Sequence, residues 1–169
     1  MRRTDREVID LKEIMAIIAQ CDVCRIGLKD EDGYPYILPL NFGYKWEHDK
    51  AILYFHSAAE GKKLQLLARD NLVAFEMDCD HRLHMDKEAG RCTMYYRSVM
   101  GRGRITFIQD EAEKLEALTL LNDRYHPEGH FEFSRKAIPR TAVYKLDIET
   151  ITAKDYEPKA ALADAPSQA

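Results

Sequence analysis

Residues 53–63 contain the side chains best suited to chemistry in this chain. They read LYFHSAAEGKK, a short apolar strand pattern that leads into a glycine and two lysines at the start of a helical pattern. A helix N-terminus presents unpaired N–H groups and the positive end of its dipole, so it stabilises phosphates and other anions. Ser57 offers a hydroxyl group, Lys62 and Lys63 offer positive charge, and Gly61 lets the backbone approach a ligand closely. The segment predicts an anion site, and two solvated helix lysines are the alternative interpretation.

Three further segments accompany this one in a fixed order: residues 22–28 (DVCRIGL), residues 36–44 (YILPLNFGY) and residues 95–103 (YYRSVMGRG). In this order and spacing, the four segments resemble the pyridoxamine-phosphate-oxidase-related flavin-binding proteins, most closely their nitroimidazole-resistance branch. The resemblance covers roughly residues 1 to 155, and the motifs are specific in combination although each is weak alone.

The resemblance implies a split-barrel homodimer that holds FMN at the subunit interface. It places Arg25, Ile26 and Gly27 along the flavin ring and the ribityl chain. Its full set of cofactor-binding residues is Arg25, Ile26, Gly27, Asn41, Phe55, His56, Ser57, Gly61, Lys62, Lys63, Arg97 and Ser98. Within this set, Lys62 is expected on the phosphate, with Lys63 as a second candidate.

His56 is the candidate for a catalytic side chain. An imidazole beside the cofactor can donate a proton to a reduced product at neutral pH. The favoured alternative is that His56 hydrogen-bonds the phosphate or a carbonyl group, because flavin reductions often use solvent protons. We therefore expect His56→Ala to weaken FMN retention more than turnover per bound flavin.

The C-terminal region departs from the oxidases. Their C-terminal region carries basic and aromatic residues that grip pyridoxal phosphate, whereas here the last strand leads into residues 150–156 (TITAKDY) and then the tail. The resemblance thus favours a flavin-dependent reductase, such as a nitroreductase, acting on a small molecule. Its electron donor would be NADH, NADPH or a partner protein. A non-catalytic or regulatory flavin-binding domain and a haem- or deazaflavin-binding split barrel stay open as alternatives.

Composition excludes other classes of function. The 25 basic and 29 acidic residues give a net charge of −4, so no global field attracts nucleic acid. No apolar stretch approaches the ~18 residues of a membrane span, and no signal-peptide pattern follows the N-terminus. We therefore expect a cytoplasmic protein that binds neither nucleic acid nor membrane.

The cysteines suggest a metal site as an alternative to the flavin site. Cys21 and Cys24 have the spacing of a zinc pair. The other candidate ligands are Cys79, His81, His84 and Cys92. No second Cys-x-x-Cys motif completes such a site, so reduced core cysteines and solvated histidines are favoured, and no metal is expected.

The surrounding elements form a mainly β pattern. Helices are predicted over residues 10–20, 61–69 and from 110 to about 126. Strands are predicted over residues 24–29, 34–42, 51–56, 72–77, 94–108 and 142–151, with a long loop over 78–93. This order favours a six-stranded antiparallel Greek-key barrel with peripheral helices. Residues 1–158 are expected to form a single domain and residues 159–169 a disordered tail.

Overall fold

Capping aspartates begin two of the three α-helices. The structure is a computed structural model that describes residues 3–47, 50–129, 131–134 and 136–156. The helices are α1 (Leu11–Gln20), α2 (Lys62–Arg69) and α3 (Glu111–Tyr125). The Asp10 carboxylate accepts hydrogen bonds from Lys12 N at 2.8 Å and Glu13 N at 3.1 Å, and Asp110 accepts one from Glu113 N at 2.9 Å. These contacts satisfy orphan N–H groups of the first turn, and all three predicted helices are confirmed.

Most of the described chain is antiparallel strand. The strands are β1 (Glu7–Val8), β2 (Cys24–Lys29), β3 (Pro35–Leu40), β4 (Gly43–Glu47), β5 (Lys50–Ala58), β6 (Leu72–Asp86), β7 (Arg91–Phe107) and β8 (Thr141–Tyr156). They pair in the order β3-β2-β6-β7-β8-β5-β4, and β1 pairs with β8. The mainly β prediction is confirmed, but the described residues contain eight strands where six were predicted.

The predicted strand over residues 34–42 is in fact two strands, β3 and β4. The Phe42 N–H donates to Tyr125 Oη at 3.1 Å instead of to a neighbouring strand. Pro39, near the end of β3, has no N–H to donate. The chain therefore leaves the β3 ladder at Asn41 and starts a new pairing with β5 at Gly43.

The predicted loop over residues 78–93 was wrong, because β6 and β7 continue through it as a hairpin. Its tip is a turn in which Asp86 Oδ1 accepts from Ala89 N at 3.0 Å and Gly90 takes a φ of 64°. All the side chains of residues 80–85 are exposed. A ribbon exposed on both faces has no need for alternating apolar residues, so the period-2 signal is missing.

The chain forms two compact units. The smaller unit comprises the described residues of 1–21, 78–99 and 152–169, and the larger comprises those of 22–77 and 100–151. The single-domain assignment of 1–158 stays a prediction, and the predicted tail lies outside the described residues. No helix of the described ranges is long and apolar enough to span a membrane.

In the larger unit, both faces of β5 are covered. One face packs Phe55 against Tyr144 of β8, with 5.7 Å between ring centroids. The other face contributes to a cluster beneath α3 that contains Tyr54, Ile108, Ala117, Leu118, Ile138 and Val143. Glycine permits the close approach of β7 and β8, because a Cβ at Gly103 would collide with the carbonyl oxygen of Asp147.

Candidate functional site

The N-terminus of α2 has no side-chain cap. Gly61 precedes the helix with φ 131° and ψ 163°, a conformation that side-chain-bearing residues rarely adopt. The Gly61 carbonyl accepts from Leu64 N at 3.1 Å, and among the described residues no side chain caps the other N–H groups of the first turn, those of Lys62 and Lys63. These N–H groups are therefore available to an anion, and no atom outside the adjoining backbone lies within 4 Å of the place where a Cβ on Gly61 would stand.

The two lysines of the first turn have different surroundings. Lys62 Nζ lies 2.5 Å from an oxygen of Asp30 and 5.1 Å from the ring centroid of Tyr36. The hydrogen bond to Asp30 is the main cause that raises the pKa of Lys62. Lys63 is half-buried, burial lowers its pKa, and it has no acidic partner in the described part of the chain. Lys63 is therefore the lysine whose positive charge is uncompensated.

His56 lies near Lys63 at the end of β5. The His56 side chain is exposed, but the surrounding protein desolvates it in part. This desolvation lowers the pKa of His56, and the charge of Lys63 lowers it further. No hydrogen bond to the imidazole is formed within the described residues. His56 also borders a cavity of about 330 Å³. The described lining residues of this cavity, none of which is Asp, Glu, Lys or Arg, are His56, Leu118, Leu121, Asn122, Phe133, Ala137, Ile138 and Thr141.

Ser57 and Phe55 lie on the face of β5 opposite to His56, since side chains alternate along a strand. The Ser57 hydroxyl donates to Ala58 O at 2.9 Å. Phe55 is fully buried and stacks on Tyr144, so its ring forms part of the core. Ser57 therefore lies beside Tyr144 on one face of β5 and His56 lies on the other, with the charge of Lys63 near enough to lower the pKa of His56.

Arg25, Ile26 and Gly27 follow one another on β2 but face different surroundings. Ile26 is fully buried, so only its backbone can reach a ligand. Arg25 is exposed and pairs with Glu76 at 3.2 Å. Gly27 lines an open groove of about 670 Å³ within the larger unit. Ala74 O is the closest atom to a Cβ built at Gly27, at 3.9 Å, which leaves a flat floor.

Basic side chains border this groove. Arg104 Nε contacts Glu149 at 2.7 Å. Lys29 and Arg102 line the same groove, and neither has an acidic partner among the described residues. The groove volume lies inside the range of ~300–1,000 Å³ that is usual for small-molecule sites. Asp70 and Glu149 also line the groove, so it combines a flat floor with charged groups of both signs at its edge, which suits a planar ligand with polar edges.

Asn41, Arg97 and Ser98 are not among the described residues that line the groove or the cavity. Asn41 is exposed between β3 and β4. Arg97 belongs to the smaller unit, where its guanidinium contacts Gln20 at 3.1 Å, Asp80 at 3.4 Å and Asp155 at 3.2 Å. Its charge is thereby compensated within that unit.

Tyr144, Lys29 and Arg102 were missed by sequence reasoning. Tyr144 lies in a predicted strand, but its pairing with Phe55 depends on the register between β5 and β8. Lys29 and Arg102 belong to strands distant in sequence that line one groove. Long-range pairing of this kind leaves no signal in a single sequence.

None of the four cysteines forms a disulfide in the described part of the chain, and Cys21, Cys24 and Cys79 are buried while Cys92 is exposed. Burial raises the pKa of Cys79. His81, one of the candidate metal ligands, lies 2.6 Å from Asp78. Within the ranges that the structure describes, no group of three or more His, Cys, Asp or Glu side chains is arranged to hold a metal ion.

The comparisons with known proteins agree on the fold. A crystal structure of a candidate 5-nitroimidazole antibiotic resistance protein from Bacteroides thetaiotaomicron matches with a TM-score of 0.78 and 34% identity, covering 88% of this chain and 85% of that one. A flavocytochrome from Azotobacter vinelandii matches with a TM-score of 0.74 and 24% identity over 99% of this chain and 79% of that one. An FAD- and haem-binding protein from Mycobacterium smegmatis matches at 0.75 and 19% identity, over 96% and 81% of the two chains.

The last two matches show the fold alone, and no curated protein sequence matches the chain. The predicted fold class, a mainly β antiparallel split barrel with peripheral helices, is confirmed by these neighbours. A family model described as pyridoxamine 5'-phosphate oxidase matches residues 10–155. The chain therefore belongs to the pyridoxamine 5'-phosphate oxidase family.

Proposed function

We propose that this protein is a flavoprotein that binds FMN through an anion site at the start of α2. The observation that carries the proposal is Lys63, a half-buried lysine beside the uncapped first turn with no acidic partner among the described residues. An uncompensated, partly desolvated ammonium group is costly unless an anion is present. A phosphate monoester supplies the required charge and accepts hydrogen bonds from the N–H groups of the turn.

The groove on β2 is our proposed location for the isoalloxazine ring. Gly27 gives it a flat floor, and its volume of about 670 Å³ is sufficient for a planar three-ring system. Helix-terminal electrostatics contribute at most about 2 kcal/mol, so tight binding requires apolar burial of the ring as well. Because the groove is open, burial of the ring requires a cover. We therefore propose a homodimer with FMN at the subunit interface.

In this proposal the protein is an oxidoreductase, and bound FMN supplies hydride or single-electron transfer to a small-molecule substrate. Lys63 and the first-turn N–H groups hold the phosphate, and Ser57 donates its hydroxyl proton to it. His56, whose lowered pKa favours the neutral imidazole, offers a ring N–H as a hydrogen-bond donor to the bound cofactor and is not the proton donor in this proposal.

Nitro reduction is the substrate chemistry that we propose first, because the relative at 34% identity is associated with 5-nitroimidazole resistance. NADH or NADPH is the proposed electron donor. We place the protein in the cytoplasm, in keeping with four cysteines that form no disulfide within the described residues.

The experiment is the visible absorption spectrum of the protein purified without added cofactor, together with the mass of the native particle. Flavin absorption, FMN in the extract and a dimer mass are the expected results. A Soret band would instead support a haem-binding protein. A colourless protein that also fails to take up added FMN would contradict the proposal.

A further inference from the structure

Tyr144 has a buried hydroxyl group that no well-formed hydrogen bond satisfies. The residue is 0% exposed, and the rings of Phe55 and Phe107 each lie 5.7 Å away between centroids. Its Oη forms no hydrogen bond of ordinary geometry within the described residues, and burial raises the pKa of the phenol to about 12. A phenylalanine would fill the same space without a buried, unsatisfied hydroxyl, which is a destabilising feature.

Ser57 is the polar side chain next to this hydroxyl. It lies two residues after Phe55 on the same face of β5, and Phe55 is paired directly with Tyr144. The Ser57 hydroxyl is close enough to partly offset the effect of burial on the pKa of Tyr144. Its own proton, however, points to Ala58 O at 2.9 Å. Ser57 thus has lone pairs available to Tyr144, but its single proton is engaged.

We propose that Tyr144 is a positioning residue for the phosphate site, and that donation of its O–H proton to Ser57 Oγ turns the Ser57 proton from Ala58 O toward the phosphate of FMN. This inference rests on the proposed FMN site. Tyr144 does not itself touch the phosphate. It fixes the Ser57 hydroxyl in the donating orientation, and a chain of two hydrogen bonds strengthens each member by polarisation.

The proposed change is a rotation of the Ser57 hydroxyl group that replaces one hydrogen-bond acceptor by another. As the Ser57 hydroxyl rotates, its covalent O–H bond stays intact, and its hydrogen bond to Ala58 O is replaced by one to the phosphate. The Ala58 carbonyl is at the exposed end of β5, so water can replace the lost hydrogen bond. The Tyr144 hydroxyl gains its missing acceptor in the same step.

The test is the affinity of Tyr144→Phe for FMN and for riboflavin, which has the same ring and ribityl chain without the phosphate. We expect FMN to bind about fivefold more weakly than to the wild type, the size of one neutral hydrogen bond. Riboflavin affinity should be unchanged. The apo-protein should unfold at the same or a higher urea concentration, since the variant removes an unsatisfied hydroxyl and keeps the ring.

Ser57 variants provide the matched control. Ser57→Ala should lose FMN affinity and Ser57→Thr should retain it, because threonine keeps the hydroxyl. In the Ser57→Ala background, Tyr144→Phe should have no further effect, since its action passes through Ser57.

Several results would overturn the inference: unchanged FMN affinity in Tyr144→Phe, an equal loss for FMN and riboflavin, additive effects of the two substitutions, or a Tyr144→Phe protein that does not fold. Failure of the wild type to bind FMN would instead refute the proposed function on which the inference rests.

Discussion

Lys62 Nζ lies 2.5 Å from the Asp30 carboxylate, while Lys63, the next residue, has no acidic partner in the ranges described. Two adjacent lysines thus have different roles, one in an ion pair with the β2–β3 turn and one available to a ligand. The sequence pattern GKK cannot distinguish them, because Asp30 lies more than thirty positions away in the chain.

We expect Lys63→Met to weaken FMN binding by about 10- to 100-fold, the equivalent of one charge-assisted hydrogen bond to phosphate. Lys62→Met is the matched control and should change the affinity by less than about threefold, because the Lys62 ammonium group is already paired with the Asp30 carboxylate, whose side chain is only 9% exposed. Flavin fluorescence titration of both apo-proteins measures the difference. A larger loss of FMN affinity in Lys62→Met than in Lys63→Met would show that Lys62, and not Lys63, binds the phosphate.

The pH dependence of stability should contain a contribution from His56. Its pKa is lowered in the folded state from the usual 6.5, so the unfolded chain takes up the proton first as the pH falls. The His56 contribution is therefore complete above about pH 6.5 and is lost as the pH falls through the lowered pKa.

This prediction is checked by urea unfolding of the apo-protein at pH 5.5 and 7.5. Acidification should destabilise His56→Gln less than the wild type. Identical pH slopes for the wild type and His56→Gln would show that the environment of His56 does not disfavour its charged form.

Tyr125 links the residue before β4 to the segment that leads into β2 through two hydrogen bonds. Its Oη accepts from Phe42 N at 3.1 Å and donates to Asp22 O at 2.7 Å. Tyr125→Phe leaves the N–H of the fully buried Phe42 without a partner, so we expect a loss of about 1–2 kcal/mol in the free energy of unfolding. Tyr34→Phe, at a position that is 75% exposed, should change it by less than about 0.5 kcal/mol. Equal losses of unfolding free energy in Tyr125→Phe and Tyr34→Phe would show that the Tyr125 hydroxyl does not stabilise the fold through these hydrogen bonds.

Gly103 allows β8 to approach β7. Because a Cβ there would meet the Asp147 carbonyl oxygen, Gly103→Ala should destabilise the protein by at least about 2 kcal/mol. Gly27→Ala is the control, since the nearest atom to its Cβ, Ala74 O, is at an ordinary contact distance of 3.9 Å. Thermal unfolding of the two apo-proteins makes the comparison, and a tolerated Gly103→Ala would show that the strands can separate without cost.

The helices were predictable because their signals are local. Asp10 and Asp110 each cap a helix whose apolar residues follow a period close to 3.6. The hairpin over residues 78–93 was not predictable, since its exposed strands lack alternating apolar residues. The break between β3 and β4 also escaped prediction, because it depends on Tyr125, far along the chain.

The candidate site was predictable in part. Gly61, Lys62 and Lys63 could be placed at a helix N-terminus from the strand and helix patterns that flank them. The different roles of the two lysines depend on the contact of Lys62 with Asp30, and the role of Ser57 depends on its proximity to Tyr144. Only tertiary pairing brings these residues close together. The roles assigned to Arg97, Ser98 and Asn41 by resemblance stay predictions.

The most direct test of the central claim is a titration of the wild-type apo-protein with FMN, followed by flavin fluorescence, beside an identical titration with riboflavin. The account predicts saturation at about one FMN per chain with micromolar or tighter affinity, and riboflavin binding at least tenfold weaker because it lacks the phosphate. Absence of saturable FMN binding, or equal affinity for the two flavins, would contradict it.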